Sequence, residues 1–293
     1  MRHNQMNKTT GKSREFHPLA VGYACLIYLF LFLPIFVVIL FSFNSSARNI
    51  MFEHFTLEWY GRMFQNRQLM EAFWNTILVA FASTLIAVVI GTLCAVGLHK
   101  FEFKLKQTIN QALYIPIVIP ELVFAIAMLV FFTSLNVEMS LFTLIVSHVT
   151  FSMPFVVITV RARIAGFDQS IEEAARDLGA NEWHTFYRVT LPMILPGVIS
   201  GGMLALTISL DDVVVSYFTA GLDSTTLPLK ILGMVKKGIS PDVNALSTLM
   251  IIGTVGILFL STAIQNHLER KQDSRTSSTG MSTPVQSRKA SAP

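Results

Sequence analysis

Six stretches of this chain are long and apolar enough to cross a bilayer as helices, and no other feature limits its fold so severely. They cover residues 19–43, 74–98, 108–133, 139–160, 195–220 and 245–264. About 20 mostly apolar residues are needed to cross the ~30 Å hydrocarbon core. A core helix of a soluble domain is usually shorter and keeps a polar face, whereas these runs are apolar all round. Composition agrees, since only 14% of residues are charged and 52% are hydrophobic, against about 25% charged in soluble domains. The predicted fold is an all-α integral membrane protein with six transmembrane helices and one long cytoplasmic loop at 161–194.

The first run follows Arg2, Lys8, Lys12 and Arg14, as a secretory signal would. At about 25 residues it is longer than the roughly 7–15 of a signal core, so it is expected to stay as an anchor. With the N-terminus in the cytoplasm, sixteen of the 22 Lys and Arg residues fall inside. Arg48, Arg62, Arg67, Lys230, Lys236 and Lys237 fall outside. That bias places both termini in the cytoplasm. The net charge of +4 then belongs beside anionic lipid rather than nucleic acid. The expected organisation is a cytoplasmic tail at 1–17, a membrane domain at 18–264, and a disordered basic tail at 265–293 that is too polar to bury a core.

The long cytoplasmic segment is not loop-like. Ile171-Glu172-Glu173-Ala174-Ala175-Arg176-Asp177-Leu178 consists of good helix formers. Ser170 is placed as the N-cap, in a capping box with Glu173, and Gly179 as the stop. A second short helix is predicted over 182–189, ending at Leu191-Pro192. The plain reading is a connector that caps the bundle beneath the membrane. The spacing points further: Glu173-Ala174-Ala175, three residues, Gly179, nine residues, then Val189-Thr190-Leu191-Pro192.

Those fixed intervals resemble the EAA motif of binding-protein-dependent ABC importers, with Val189 where Ile is usual. Other stretches are similar to the C-type permease subunit of spermidine/putrescine importers, and together they span roughly 18–264. They include Ser147-His148-Val149-Thr150-Phe151, Ser209-Leu210-Asp211-Asp212-Val213 and Leu227-Pro228-Leu229-Lys230. The resemblance implies a permease subunit of the bacterial inner membrane that is not itself an enzyme and carries no cofactor. It implies as partners a second permease subunit, two ATP-binding subunits and a periplasmic substrate-binding protein. It also implies that Glu173, Ala174, Ala175, Gly179, Leu191 and Pro192 belong to coupling helices that dock on the ATPase.

Within the runs lie three acids, Glu121, Asp211 and Asp212, and no Lys or Arg. A charge at membrane depth costs about 2.5–3.5 kcal/mol even on lenient scales, so such residues are functional by default. Counted from the cytoplasmic ends, Glu121 comes about 20 Å and Asp211 about 24 Å along its helix. They are expected to face one another across a cavity open to the outside, with Ser209 adding a neutral hydrogen-bonding group. Pro116 and Pro120 are expected to kink the helix beside Glu121. Trp59 in the first outer segment is a candidate to pack over an alkyl chain or cation.

Such a set suits a polyamine, with spaced carboxylates for its ammonium groups and apolar walls for its methylenes. Each residue has a structural alternative. Glu121 could be protonated or paired with a sister subunit. One of the two Asp residues could face helix backbone, since neighbours on a helix point about 100° apart. Trp59 could be an interfacial anchor.

Other chemistry finds little support. Cys25 and Cys94 are too few for a disulfide scaffold or a cysteine-built metal site. His148 stands alone and is expected to hydrogen-bond within the bundle. Gly11-Lys12-Ser13 imitates the end of a phosphate-binding loop, but Met6 stands where its first glycine would have to be. Gly197 and Gly201 read as a close helix contact. The rival readings are an ABC permease for another small solute and an ion-coupled secondary transporter. The first leaves the acids without a purpose if the solute is neutral. The second usually carries paired repeats and has no need of the EAA spacing.

Overall fold

Proline marks one of the two places where a long helix of this chain breaks, and glycine sets where the helices touch. The computed structural model describes residues 18–46, 51–166, 170–237 and 241–278. Along these the elements are α1 (Pro18–Phe41), α2 (Glu58–Gln65), α3 (Arg67–Lys100), α4 (Lys106–Ala112), α5 (Ile115–Val118), α6 (Glu121–Ser134) and α7 (Leu141–Ala165). Then follow α8 (Ser170–Asp177), α9 (Glu182–Thr185), a π-helical turn (Phe186–Thr190), α10 (Leu191–Asp211), α11 (Val214–Thr219), α12 (Leu227–Lys237) and α13 (Pro241–Ser278).

Five helical segments are long and apolar enough to span a membrane: Val21–Phe41, Arg67–Lys100, Leu141–Ala165, Glu182–Asp211 and Pro241–Ile264. A sixth span is obtained by counting Lys106–Val118 with Glu121–Ser134, which meet at 110°. The third apolar run is thus broken rather than merely kinked. Ile119 is extended, with ψ 134°, as the residue before a proline prefers, and Pro120 then opens α6. The fifth run is broken as well. Helix α10 stops at Asp211, Asp212 is extended with ψ 127°, and α11 starts afresh at Val214.

Helices α3, α7 and α10 form the centre, around buried Ala87, Ala95, Val156, Val157, Val160, Ile194 and Ala205. Lipid tails are as apolar as these side chains, so helices in a membrane associate through close packing rather than water exclusion. Small residues provide the closeness. A Cβ on Gly201 would lie 3.1 Å from the Val156 Cα, and one on Gly197 would lie 2.7 Å from the Arg163 Cβ. The GxxxG expectation is met by this pressing of α10 onto α7.

Around that centre, α1 packs on α13 and leaves the side chains of 21–37 exposed. The outer segments expected as loops carry α2 and α12. Their buried Met63 and Leu227 join Leu69, Ala72 and Leu246 in a second apolar cluster. At the C-terminal end, α13 continues to Ser278. The helix thus runs past residue 265, through Gln, Leu, Glu, Arg and Lys, which are good helix formers. The expected tail at 1–17, and residues 279–293 of the one expected at 265–293, lie outside the described residues.

Replacing Gly201 with Leu should lower the unfolding midpoint of the detergent-solubilised protein, at a cost of about 1–3 kcal/mol for overpacking. Gly253→Leu should leave it unchanged, since nothing lies within 4 Å of a Cβ there. Equal midpoints for the two variants would contradict this packing.

Candidate functional site

Two interrupted spans meet at their breaks. Helix α6, which begins at Glu121, packs against α11, which begins just after Asp212. The carboxyl groups of Glu121, Asp211 and Asp212 are close enough to act on one another electrostatically. The structure brings these three acids near one another at the junction of α6, α10 and α11. They differ in situation: Asp211 is exposed, Glu121 half-buried and Asp212 buried.

Asp212 is buried because it completes a helix end. Its Oδ1 accepts from the Val215 N–H at 3.2 Å, and its Oδ2 accepts from the Ser216 N–H and hydroxyl, both at 2.7 Å. The N–H groups at the start of α11 have no intrahelical partner and no bulk water, so a carboxylate there satisfies them. The alternative that one Asp faces backbone is thus realised at Asp212, which leaves Asp211 as the open one.

His148 of α7 holds both sides of this break. Its Nδ1 shares a 2.6 Å hydrogen bond with the Ser209 Oγ of α10. Its Nε2 lies 3.2 Å from the Ser216 Oγ and 3.3 Å from the Asp212 Oδ2 on the far side. Ser209 also shares a 3.1 Å hydrogen bond with Ser83 of α3, so one network ties α3, α7, α10 and α11. His148 therefore bonds within the bundle, as expected. Asp212 therefore has a histidine beside it, although no Lys or Arg lies in the runs. Ser209 is buried and joins α10 to α3 and α7. Beside the network is a cavity of about 10 Å³ lined by His148, Phe151, Ser152, Ser209, Asp212 and Val215, the size of a single water site.

Trp59 is not part of this cluster. Its buried indole donates to the Asn44 carbonyl at 2.8 Å, and Arg62 lies 4.9 Å over its ring. Helix α2, which carries it, packs on α3 and α13. The ring thus packs inside the chain, held by Asn44 and Arg62 and apart from the three acids.

The segment 161–194 forms the two short helices expected of it. Gly179 has φ +86°, the left-handed conformation that side chains with a Cβ resist. The Ala180 N–H donates to the Ala175 carbonyl and the Gly179 N–H to the Arg176 carbonyl, closing α8 as a Schellman turn. Asn181 then caps α9 by accepting from the His184 N–H at 2.8 Å. Glu173, Ala174 and Gly179 are exposed and Ala175 half-buried. Leu178 is 89% and Trp183 70% exposed.

Ser170 is the first described residue of α8, residues 167–169 before it lying outside the described residues. One detail differs from expectation. The second helix does not end at Leu191-Pro192. It passes through the π-helical turn into α10, with the proline near the first turn of α10, where a missing N–H costs little.

Glu172, the neighbour of Glu173, carries no signal of its own in the sequence but is heavily engaged in the structure. Its Oε2 lies 2.9 Å from the Lys100 Nζ, with both side chains nearly buried, and 3.8 Å from Arg176. The Thr190 hydroxyl donates to its Oε1. Burial opposes this charge, but Thr190, Lys100 and Arg176 outweigh it and hold the carboxyl below the ordinary glutamate range. The tie is complete at neutral pH and is lost only as pH falls through that lowered value.

With this geometry in view, comparison with known proteins is specific. Residues 87–274 match the family of binding-protein-dependent transport system inner membrane components. The chain belongs to that family. It is 40% identical over 243 residues to the spermidine/putrescine transport system permease protein PotC of Escherichia coli strain K12, covering 83% of this chain and 92% of that one. It is 38% identical over 238 residues to PotC of Haemophilus influenzae, covering 81% and 93%. The fold is shared with a bacterial ABC transporter involved in the import of the acidic polysaccharide alginate, at a TM-score of 0.66 and 16% identity, covering 87% of this chain and 99% of that chain.

Asp212→Ala should destabilise the solubilised protein by about 1–3 kcal/mol, the cost of stranding buried donors. Asp211→Ala, which removes an exposed carboxylate that caps nothing, should move the unfolding midpoint far less. Similar losses for the two would contradict the capping role.

Proposed function

We propose that this chain is one of two membrane-spanning subunits of an ATP-driven importer that carries polyamines, spermidine or putrescine, across the bacterial inner membrane. The carrying observation is the carboxyl cluster at the junction of two broken spans, in a chain whose relatives bear the name of polyamine permeases. Broken helices at membrane depth are where transporters commonly bind ions and charged solutes. Asp211 and Glu121 present charge to the substrate's ammonium groups, while Asp212 holds α11 and keeps the cluster in place. The assignment of Ser209 is then a positioning role, and Trp59 steadies the outer cap.

Hydrolysis of ATP takes place in two separate subunits, and a periplasmic binding protein delivers the solute. The exposed knob made by Glu173, Ala174, Ala175 and Gly179, with Leu178 and Trp183, docks on an ATP-binding subunit. An apolar surface of this kind in water calls for a partner. Because Leu191 and Pro192 begin α10, a push on the knob reaches the acid-bearing helix directly. The termini lie in the cytoplasm, and the acids face the outer side when the path is open outward.

Uptake of labelled spermidine and putrescine should fall about tenfold in Asp211→Asn, the loss of one charge-assisted hydrogen bond. The amount of assembled complex should be unchanged, and Glu121→Gln should give a smaller loss. Normal uptake in the Asp211→Asn, Glu121→Gln double variant would remove the polyamine site from these residues.

A further inference from the structure

Helix α8 presents a mechanical puzzle. None of its side chains is buried among the described residues. Apolar packing, which positions α3, α7 and α10, therefore does not hold this helix in place. It rests on α9 and the π-helical turn, over a cavity of about 180 Å³ lined in part by Val96, His99, Lys100, Arg176 and Ile194. A coupling element placed so loosely would rock rather than transmit force.

Glu172 supplies what packing does not. One carboxylate oxygen meets Lys100, the last residue of α3, at 2.9 Å, and the other accepts from Thr190, the residue before α10. Side-chain exposures of 15% for Lys100 and 13% for Glu172 make this unlike the surface pairs Arg62–Glu58 and Arg67–Glu71, whose side chains are more than half exposed. Exposed pairs of that kind contribute little, whereas breaking a buried one strands a charge. The carboxylate thus joins three elements, and two of them lead straight into the central bundle.

We propose that Lys100, Glu172 and Thr190 form a strut through which movement of α8 is passed into α3 as well as α10, with Glu172 as a positioning residue. The strut turns the coupling loop from a lever on one helix into a yoke on two. Since α3 carries Ser83 and α10 carries Ser209, a yoke that moves them together preserves the Ser83–Ser209 hydrogen bond while the two helices shift against their surroundings. This inference rests on the coupling-loop reading above and not on the identity of the solute.

The test uses the complete importer in proteoliposomes, with labelled spermidine as the transported probe. Glu172→Gln, which keeps size and the Thr190 hydrogen bond but loses the ion pair, should lower uptake about tenfold. The ATP-binding subunits should still copurify and hydrolyse ATP, so more ATP is spent per spermidine imported. Glu172→Lys and Lys100→Glu should each be worse, and the exchange Lys100→Glu with Glu172→Lys should recover most of the coupling. Unchanged spermidine-to-ATP ratios in Glu172→Gln would overturn the strut. So would an exchanged pair that assembles in normal amount yet couples no better than the single variants. Loss of ATPase copurification in Glu172→Gln would also overturn it, by making Glu172 part of the docking surface instead.

Discussion

A helix that stops inside a membrane must find donors and acceptors other than water for its open ends. In this chain the Asp212 carboxylate meets that need for α11, and much of the surrounding structure follows from it. The carboxylate must be buried to cap, and once buried it needs company, which His148 and Ser216 provide. His148 can provide it only if α7 sits tightly against α10, and the glycines at 197 and 201 allow that approach. The same break turns Asp211 outward and sets α11 beside α6, whose own start is fixed by Pro120. An acidic cluster thus arises where two interrupted helices meet, and the capping aspartate is its fixed point.

The large features of the fold were legible because hydropathy over 20 residues is a strong signal and because the EAA spacing is long. Breaks were less so. Pro120 marked a disturbance, but two prolines do not say whether a helix bends slightly or turns by 110°. For the fifth run even that cue was missing, since no proline or glycine stands at 211–213 and the run is apolar on either side. Two adjacent aspartates look alike in a sequence. Which one caps and which one is open depends on whether the chain stops at Asp211, and that is a tertiary outcome.

Partnerships between distant residues were harder still. His148 looked solitary because its partners stand 61 to 68 residues away in sequence. Glu172 had every local reason to be read as a solvated helix residue beside the motif's Glu173. Its role needs Lys100, on another span, to arrive at the same point. Trp59 is a further case, since nothing local in the sequence tells that its N–H donates to the Asn44 carbonyl.

The central claim is that the junction of the two broken spans receives the substrate's charge. A structure of the assembled importer, trapped with spermidine in its path, examines it most directly. The account predicts an ammonium group within about 3 Å of the Asp211 or Glu121 carboxylate, as charge-assisted hydrogen bonds require, with Asp212 still capping α11. Spermidine bound elsewhere in the path, with all three acids out of reach of its nitrogens, would contradict it.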